Sequence, residues 1–423
     1  MDILKTIQEA NELFRSSELC RQQEEETRAL ADRIQNRNIT IAVIGQFKRG
    51  KTTLINTMLG RENLLPVGIV PVTAAITRIE YADGADERAR VYFQNGLSEE
   101  VPASELHQYI NEQENHDNER NVAEVELETC ADFLKDGLIL VDTPGVGSVH
   151  ENNSKSAVDF ARESDGVIFM LSVDSPLNQI EVDFLRKVRS YAGKFYFAVN
   201  KIDRVDEEEL AEYLDYCSAI IQDIMELDAE EAKALKLMPL SARKNIGVDE
   251  LMETIRDDLI TRGDQIMERS AGLKLLQILE DTRSQIASYR EVLKMAPNVF
   301  NRRFQEMDAL LKEQRQKLTR LDDGPYMRAR LNEEKAFLTG KVRELFGIEY
   351  FYYVDREDAA QILKREEYAA ELNAIYDDLE SALTSIFMYK EENAYCVARR
   401  IEDLNILLQQ MRKLTRQLER ELK

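Results

Sequence analysis

The sequence predicts two kinds of structure in one chain. Residues 37–262 read as an α/β domain, a mostly parallel sheet with helices on both faces, and 263–423 as an elongated all-α helical bundle that helices in 1–36 join. Three observations predict this. Apolar strand-like runs alternate with amphipathic segments in NITIAVIG, AITRIEYA, GLILVDTPG, GVIFMLSVD, FYFAVNKID and LKLMPLSA, the rhythm of a parallel sheet with crossover helices. From 264 onward the only glycines are Gly272, Gly324, Gly340 and Gly347 and the only prolines Pro297 and Pro325, while apolar residues recur every three or four positions, as on helix seams. Between the first strand and a helix-like run stands a loop bracketed by glycines, GQFKRGKT.

The first stretch, 1–36, has no glycine or proline and places Ile3, Ile7, Phe14, Leu30 and Ile34 at helical spacing, which predicts one or two helices. Its opening MDILKTIQEANELF is acidic and amphipathic, unlike a signal peptide. The longest apolar run, Gly166–Val173, is far short of the ~18 residues of a membrane-spanning helix, and the expectation is a cytoplasmic protein. In the last stretch the seams run through Leu275, Leu279, Ile286, Leu293, Phe300, Met307 and Leu311, then Leu372, Ile375, Leu379, Leu383 and Ile386, then Ile401, Leu404, Leu408, Met411 and Leu418. They read as bundle core, with a kink expected at Pro297.

With 79 acidic and 56 basic residues the net charge is −23, which repels nucleic acid and anionic lipid over most of the surface. Nucleic acid is excluded as a partner, and any membrane contact needs a local basic patch. Cys20, Cys130, Cys217 and Cys396 are far apart without a pairing motif and read as free thiols of a reducing compartment.

The loop fits G-x-x-x-x-G-K-[ST] through Gly45, Gly50, Lys51 and Thr52, directly after the strand Asn38–Ile44. In that context backbone amides of Gly45, Gln46, Phe47, Lys48, Arg49, Gly50, Lys51, Thr52 and Thr53 cradle phosphates at a helix N-terminus. Lys51 reaches the β- and γ-phosphates and Thr52 ligates Mg²⁺. Three more motifs follow in order, each after a predicted strand. In DTPG, Asp142 can hold a magnesium-bound water and the Gly145 N–H can sense the γ-phosphate. In NKID (Asn200, Lys201, Ile202, Asp203), the Asp203 carboxylate can accept two hydrogen bonds from guanine, whereas adenine would leave it unpaired. In SAR (Ser241, Ala242, Arg243), a backbone N–H can meet the guanine O6. NKID or DTPG alone could be an ordinary turn, but four motifs in order at strand C-termini are not explained as turns. They predict an α/β P-loop GTPase domain with GTP or GDP and Mg²⁺ as its ligands.

The segment LINTMLGRENLLPVGIVPVTAAITRIEY resembles the loop helix and first switch of bacterial dynamin-like proteins, and the layout of short helices, GTPase domain and long helices agrees with that family. The resemblance implies that Thr73 completes the magnesium shell and holds the attacking water. It also implies that two GTPase domains form a homodimer across the nucleotide, and that the helices form a neck or stalk. The residue after DTPG is Val146, not the water-orienting glutamine of small GTPases. By analogy with guanylate-binding proteins, which carry a basic residue at the position of Lys48, either Lys48 or Arg49 could supply a catalytic cation in cis, or both could face solvent or pair with acids. The long spacing between Gly45 and Asp142 predicts an insertion near 82–130 of strands and a helix.

Residues 322–355 break the helical pattern and place Arg328, Arg330, Lys341 and Arg343 beside an aromatic cluster from Phe346 to Val354. This is either a tip for peripheral membrane contact or a small core that docks a partner; Glu349 and Asp355 favour the second. The stretch after Arg262 is shorter than the family's usual trunk, which implies a short member, a truncated form, or half of a pair with a second dynamin-like protein. Three functions follow: a dynamin-like GTPase coupled to neck movement, a slow GTP switch docking a partner, or a scaffold locked by nucleotide.

Overall fold

Strand β1 (Ile39–Ile44) is buried at all six positions, because it lies mid-sheet between β6 (Leu138–Asp142) and β7 (Gly166–Ser172), parallel to both. A strand covered on both faces is apolar throughout rather than alternating, and β7 and β6 are equally buried. The computed structural model describes residues 3–67, 76–84, 87–93, 95–111, 114–115, 118–143, 145, 160–189, 191–318, 327–347, 365–392 and 396–422. The remaining strands are β2 (Ile76–Tyr81), β3 (Arg88–Phe93), β4 (Ser98–Pro102), β5 (Val122–Thr129), β8 (Lys194–Asn200) and β9 (Leu237–Pro239). Among the described residues the sheet order is β4-β3-β5-β2-β6-β1-β7-β8-β9.

The β2–β5, β7–β8 and β8–β9 pairs are also parallel; β2–β6, β3–β4 and β3–β5 are antiparallel. Two of these antiparallel pairs, β3–β4 and β3–β5, lie within the insertion expected near 82–130, which supplies β3, β4, β5 and the short helix α4 (His107–Ile110). There β3 alternates exposed and buried residues at its start, the mark of a sheet wet on one side. Register aligns the functional ends: Val43 lies opposite Asp142, Ser172 opposite Asn200, and Val199 opposite Pro239. The C-termini of β1, β6, β7, β8 and β9 therefore share one edge.

Because side chains alternate along a strand, β1 feeds two cores. Ile41 and Val43 pack with Leu54, Ile55, Leu140 and Met170. Ala42 and Ile44 pack with Val141, Phe169, Leu171, Phe184 and Ile221. Helices α3 (Lys51–Met58), α5 (Gln179–Val188) and α6 (Glu207–Met225) supply the facing residues, and a short α7 (Ala229–Ala234) leads into β9.

The chain divides into two compact units, one of 1–7, 28–275 and 422, the other of 8–27, 276–421 and 423. The expected boundaries at 36 and 262 differ from these. Helix α8 (Val248–Lys294) runs through 262 without a break, since nothing in its sequence near 262 except Gly263 opposes a helix. The helices α1 (Ile3–Arg15) and α2 (Arg21–Asn36) each contribute residues to both units.

Within the helical unit, α9 (Pro297–Leu318) follows α8 after a break at 295–296. Pro297 was expected to kink one helix; instead it opens the next, where its missing N–H is harmless. Helix α9 packs on α10 (Met327–Phe346) and α11 (Arg365–Glu392). Phe300, Phe304, Phe346 and Phe387 form an aromatic cluster with ring centroids 5.1 to 6.5 Å apart. Helix α12 (Val397–Leu422) buries Leu404, Leu408, Met411 and Leu418, as its seam predicts. Of the distal 322–355 stretch, 322–326 and 348–355 lie outside the described residues, so the aromatic run after Phe346 does too. Among the described residues no helix is long and apolar enough to cross a membrane. Cys20, Cys130, Cys217 and Cys396 are free thiols.

Candidate functional site

The loop Gly45–Gly50 leaves β1 at the shared edge and enters α3. Gly45 (φ 157°) and Gly50 (φ 94°) have backbone that favours glycine, and space demands it too. A Cβ on Gly45 would lie 2.7 Å from the Met170 carbonyl oxygen, and one on Gly50 2.3 Å from Asn200 Nδ2. Opposite the loop, a Cβ on Gly145 would lie 2.8 Å from Phe47 Cα, so DTPG and the loop meet backbone to backbone.

Lys51, the first residue of α3, folds its Nζ back over the loop and donates to Gly45 O at 2.9 Å and Gln46 O at 3.3 Å. Burial pushes its ammonium down to about 8, against the pull of Asp142 and Glu181. Thr52 Oγ1 donates to Asp142 Oδ2 at 2.9 Å. Asp142 is 1% exposed; its Oδ1 is buried with no hydrogen-bond partner among the described residues. Burial pushes its carboxyl up to about 6, with Lys51 and the Thr52 hydroxyl opposing. A hydroxyl beside a carboxylate with one unsatisfied oxygen is a donor set that fits Mg²⁺, a cation of oxygen ligands.

Asn200 joins three motifs. Its Nδ2 donates to Arg49 O at 2.8 Å, and its Oδ1 accepts from Lys201 N at 2.8 Å and Ala242 N at 3.0 Å. The Ala242 N–H, one candidate donor for a base oxygen, is thus engaged by Asn200. Ala242 O in turn accepts from Thr57 Oγ1 at 2.9 Å, which ties α3 to the SAR turn. Lys201 lies in left-handed backbone (φ 67°) and its Nζ donates to Lys48 O at 2.7 Å and to Asp174 at 2.5 Å. Asp203 Oδ1 accepts from Ser241 Oγ at 2.7 Å, and Lys244 Nζ stands 3.5 Å from Oδ2. The Ser241 hydroxyl, aided by Lys244, holds the Asp203 carboxyl below its ordinary value. Asp203 is therefore anionic; it is also exposed to solvent and is oriented by Ser241, which caps the turn Ala242–Lys244.

The two candidate cations part company. Arg49 is 3% exposed; its Nε and Nη2 donate to Glu181 at 2.7 and 2.6 Å and its Nη1 to Ser172 O and Ser175 Oγ at 3.1 and 2.8 Å. Of the two places left open for it, catalytic cation or partner of an acid, Arg49 takes the second here, its guanidinium held bidentately by Glu181 in the protein interior. Lys48 is exposed, with its Nζ 5.3 Å from the Phe47 ring centroid. Thr73, Val146 and His150 lie outside the described residues. Sequence reasoning missed Glu181 and Asn178. The pattern Asn-x-x-Glu at 178–181 is a readable capping signal, but its partner Arg49 is 132 residues away from Glu181.

Residues 41–203 match the family model described as the dynamin family. The chain carries a dynamin-family domain. The match takes in Gly45, Asp142 and Asp203, so three of the four motifs fall inside it. At family level this likeness implies binding of a guanine nucleotide. An uncharacterised protein in a xynA 3' region of Caldicellulosiruptor is 33% identical over 262 residues, 61% of this chain and 61% of that protein. Dynamin-like protein 1 of Campylobacter jejuni is 25% identical over 250 residues, 50% of this chain and 34% of that protein. The chain thus spans less than two thirds of the length of either. A chain from a solved oligomerised bacterial dynamin pair, described as a mechanism for long-range sensing and tethering of membranes, aligns over 97% of this chain and 78% of that one. The TM-score is 0.45 and the identity 19%.

Proposed function

We propose that the protein hydrolyses GTP to GDP and phosphate with Mg²⁺, and that pairing of two dynamin-family domains speeds the reaction. The observation that carries this is Asp142, buried at the end of β6 with Thr52 on one oxygen and no partner among the described residues on the other. Thr52 and Asp142, with Thr73, would hold Mg²⁺, which offsets charge on the transferring phosphoryl group. Lys51 grips the β- and γ-phosphates, and the Gly145 N–H meets the γ-phosphate. Asp203 selects guanine: it stays ionised and accepts from the two guanine N–H donors. Lys48 is the cation left to face the transferring group, since Arg49 is engaged by Glu181. The helices 263–423 would act as a neck moved by the cycle, in the cytoplasm, with a second dynamin-like protein or a membrane met peripherally through 322–355 as partner.

One assay tests the core of this. Turnover of GTP and ATP is measured across a hundredfold range of protein concentration, with and without Mg²⁺. Specific activity that rises with concentration, for GTP only and with Mg²⁺ only, is the expected outcome. A flat dependence would leave a monomeric switch, and equal use of ATP would remove the guanine reading.

A further inference from the structure

The loop residues between the two glycines, Gln46 to Arg49, hold a conformation that needs outside support. Lys48 sits at φ 67°, left-handed backbone that is unfavourable for a lysine. Two of the four side chains are gripped by the start of one helix. Asn178, the N-cap of α5, donates Nδ2 to Gln46 Oε1 at 2.8 Å. Glu181, in the first turn of α5, takes both Nε and Nη2 of Arg49. The same two residues close a capping box on each other: Glu181 N donates to Asn178 Oδ1 at 3.1 Å and Asn178 N to Glu181 Oε2 at 3.2 Å. Glu181 is 1% exposed, so water does not compete for these bonds.

We propose that Glu181 is a positioning residue of the phosphate site, setting the path of the loop through Arg49 so that the loop amides face a polyphosphate. This rests on the reading of the loop as a nucleotide cradle. Glu181 itself touches no nucleotide. The consequence falls on phosphate grip and not on base choice, because Asp203 is oriented separately by Ser241. A buried ion pair that only fills space can be replaced by apolar residues of similar volume without loss; a positioning pair cannot.

Full-length wild type, E181Q, R49Q, E181Q/R49Q and the apolar R49M/E181M are titrated with GDP, GTP and ATP well below each melting temperature. Wild type is expected to bind guanine nucleotides. E181Q should weaken GDP and GTP binding about tenfold with the GTP-over-ATP preference unchanged, as for a lost charge-assisted bond. The double Gln variant should lose little more than either single one, and R49M/E181M should melt near wild type yet keep the weakened affinity. Where E181Q does not fold, R49M/E181M decides alone. Affinity within twofold of wild type in E181Q or in R49M/E181M overturns the proposal. A wild type that binds no guanine nucleotide overturns the underlying reading of the loop and takes this inference with it.

Discussion

At Lys48 the backbone turns left-handed, and at Arg49 the side chain turns inward to Glu181. The two adjacent cations are thereby separated, one exposed at the mouth of the site and one built into its wall. Left-handed backbone costs a non-glycine residue about 1 kcal/mol, so Lys48→Gly should melt above Lys48→Ala. Both variants are expected to keep GTP affinity within about twofold and to lose most of the turnover. Calorimetry beside phosphate release checks this, and unchanged turnover would remove Lys48 from the chemistry. At the other end of the site Asp203 faces solvent with its charge secured. Asp203→Ala should remove the preference for GTP over ATP, measured by competition, while triphosphate contacts persist.

Asp165 shows what joins elements at the start of β7. Its carboxylate accepts from Arg33 of α2 at 2.9 Å, from Ser270 of α8 at 2.9 Å and from the backbone N–H of Thr40 at 3.0 Å, with Lys274 of α8 at 3.3 Å. Burial alone would push this carboxyl up, but Lys274 and Arg33 outweigh it and hold it below the ordinary value. A depressed folded value means its stabilisation is full above the unfolded value of about 4 and is lost as pH falls through the folded one. Asp165→Asn should cost about 3 kcal/mol near neutral pH. The melting difference from wild type should stay flat above about pH 5 and shrink below about pH 4. A gap independent of pH would deny the carboxylate this role. In the helical unit, Lys390 of α11 donates to Leu293 O at 2.9 Å and Met295 O at 2.8 Å, closing the end of α8 at the break before Pro297. Lys390→Met strands buried carbonyls at about 1–3 kcal/mol. Faster hydrogen exchange over 288–300 is the expected sign.

At the scale of the whole molecule, the charge of −23 works against polyanions. A labelled random duplex should therefore show no binding at physiological salt by fluorescence anisotropy; micromolar binding would point to a basic patch that composition conceals.

The sheet's buried strands, the order of the motifs and the helix seams are readable from local pattern: apolar runs of strand length, glycines at fixed spacing, and residues every third or fourth position. Gly45, Lys51, Thr52, Asp142 and Asp203 were legible for that reason. The pairing of Arg49 with Glu181, the bracing by Asn200 and the Asp142 oxygen left unmatched among the described residues came into view with the fold. Each of these depends on side chains far apart in the chain, and on burial that no local pattern carries. The same holds for Pro297, which marks a disturbance of the helix on sequence grounds, while the fold made it the start of a new helix rather than a kink in one.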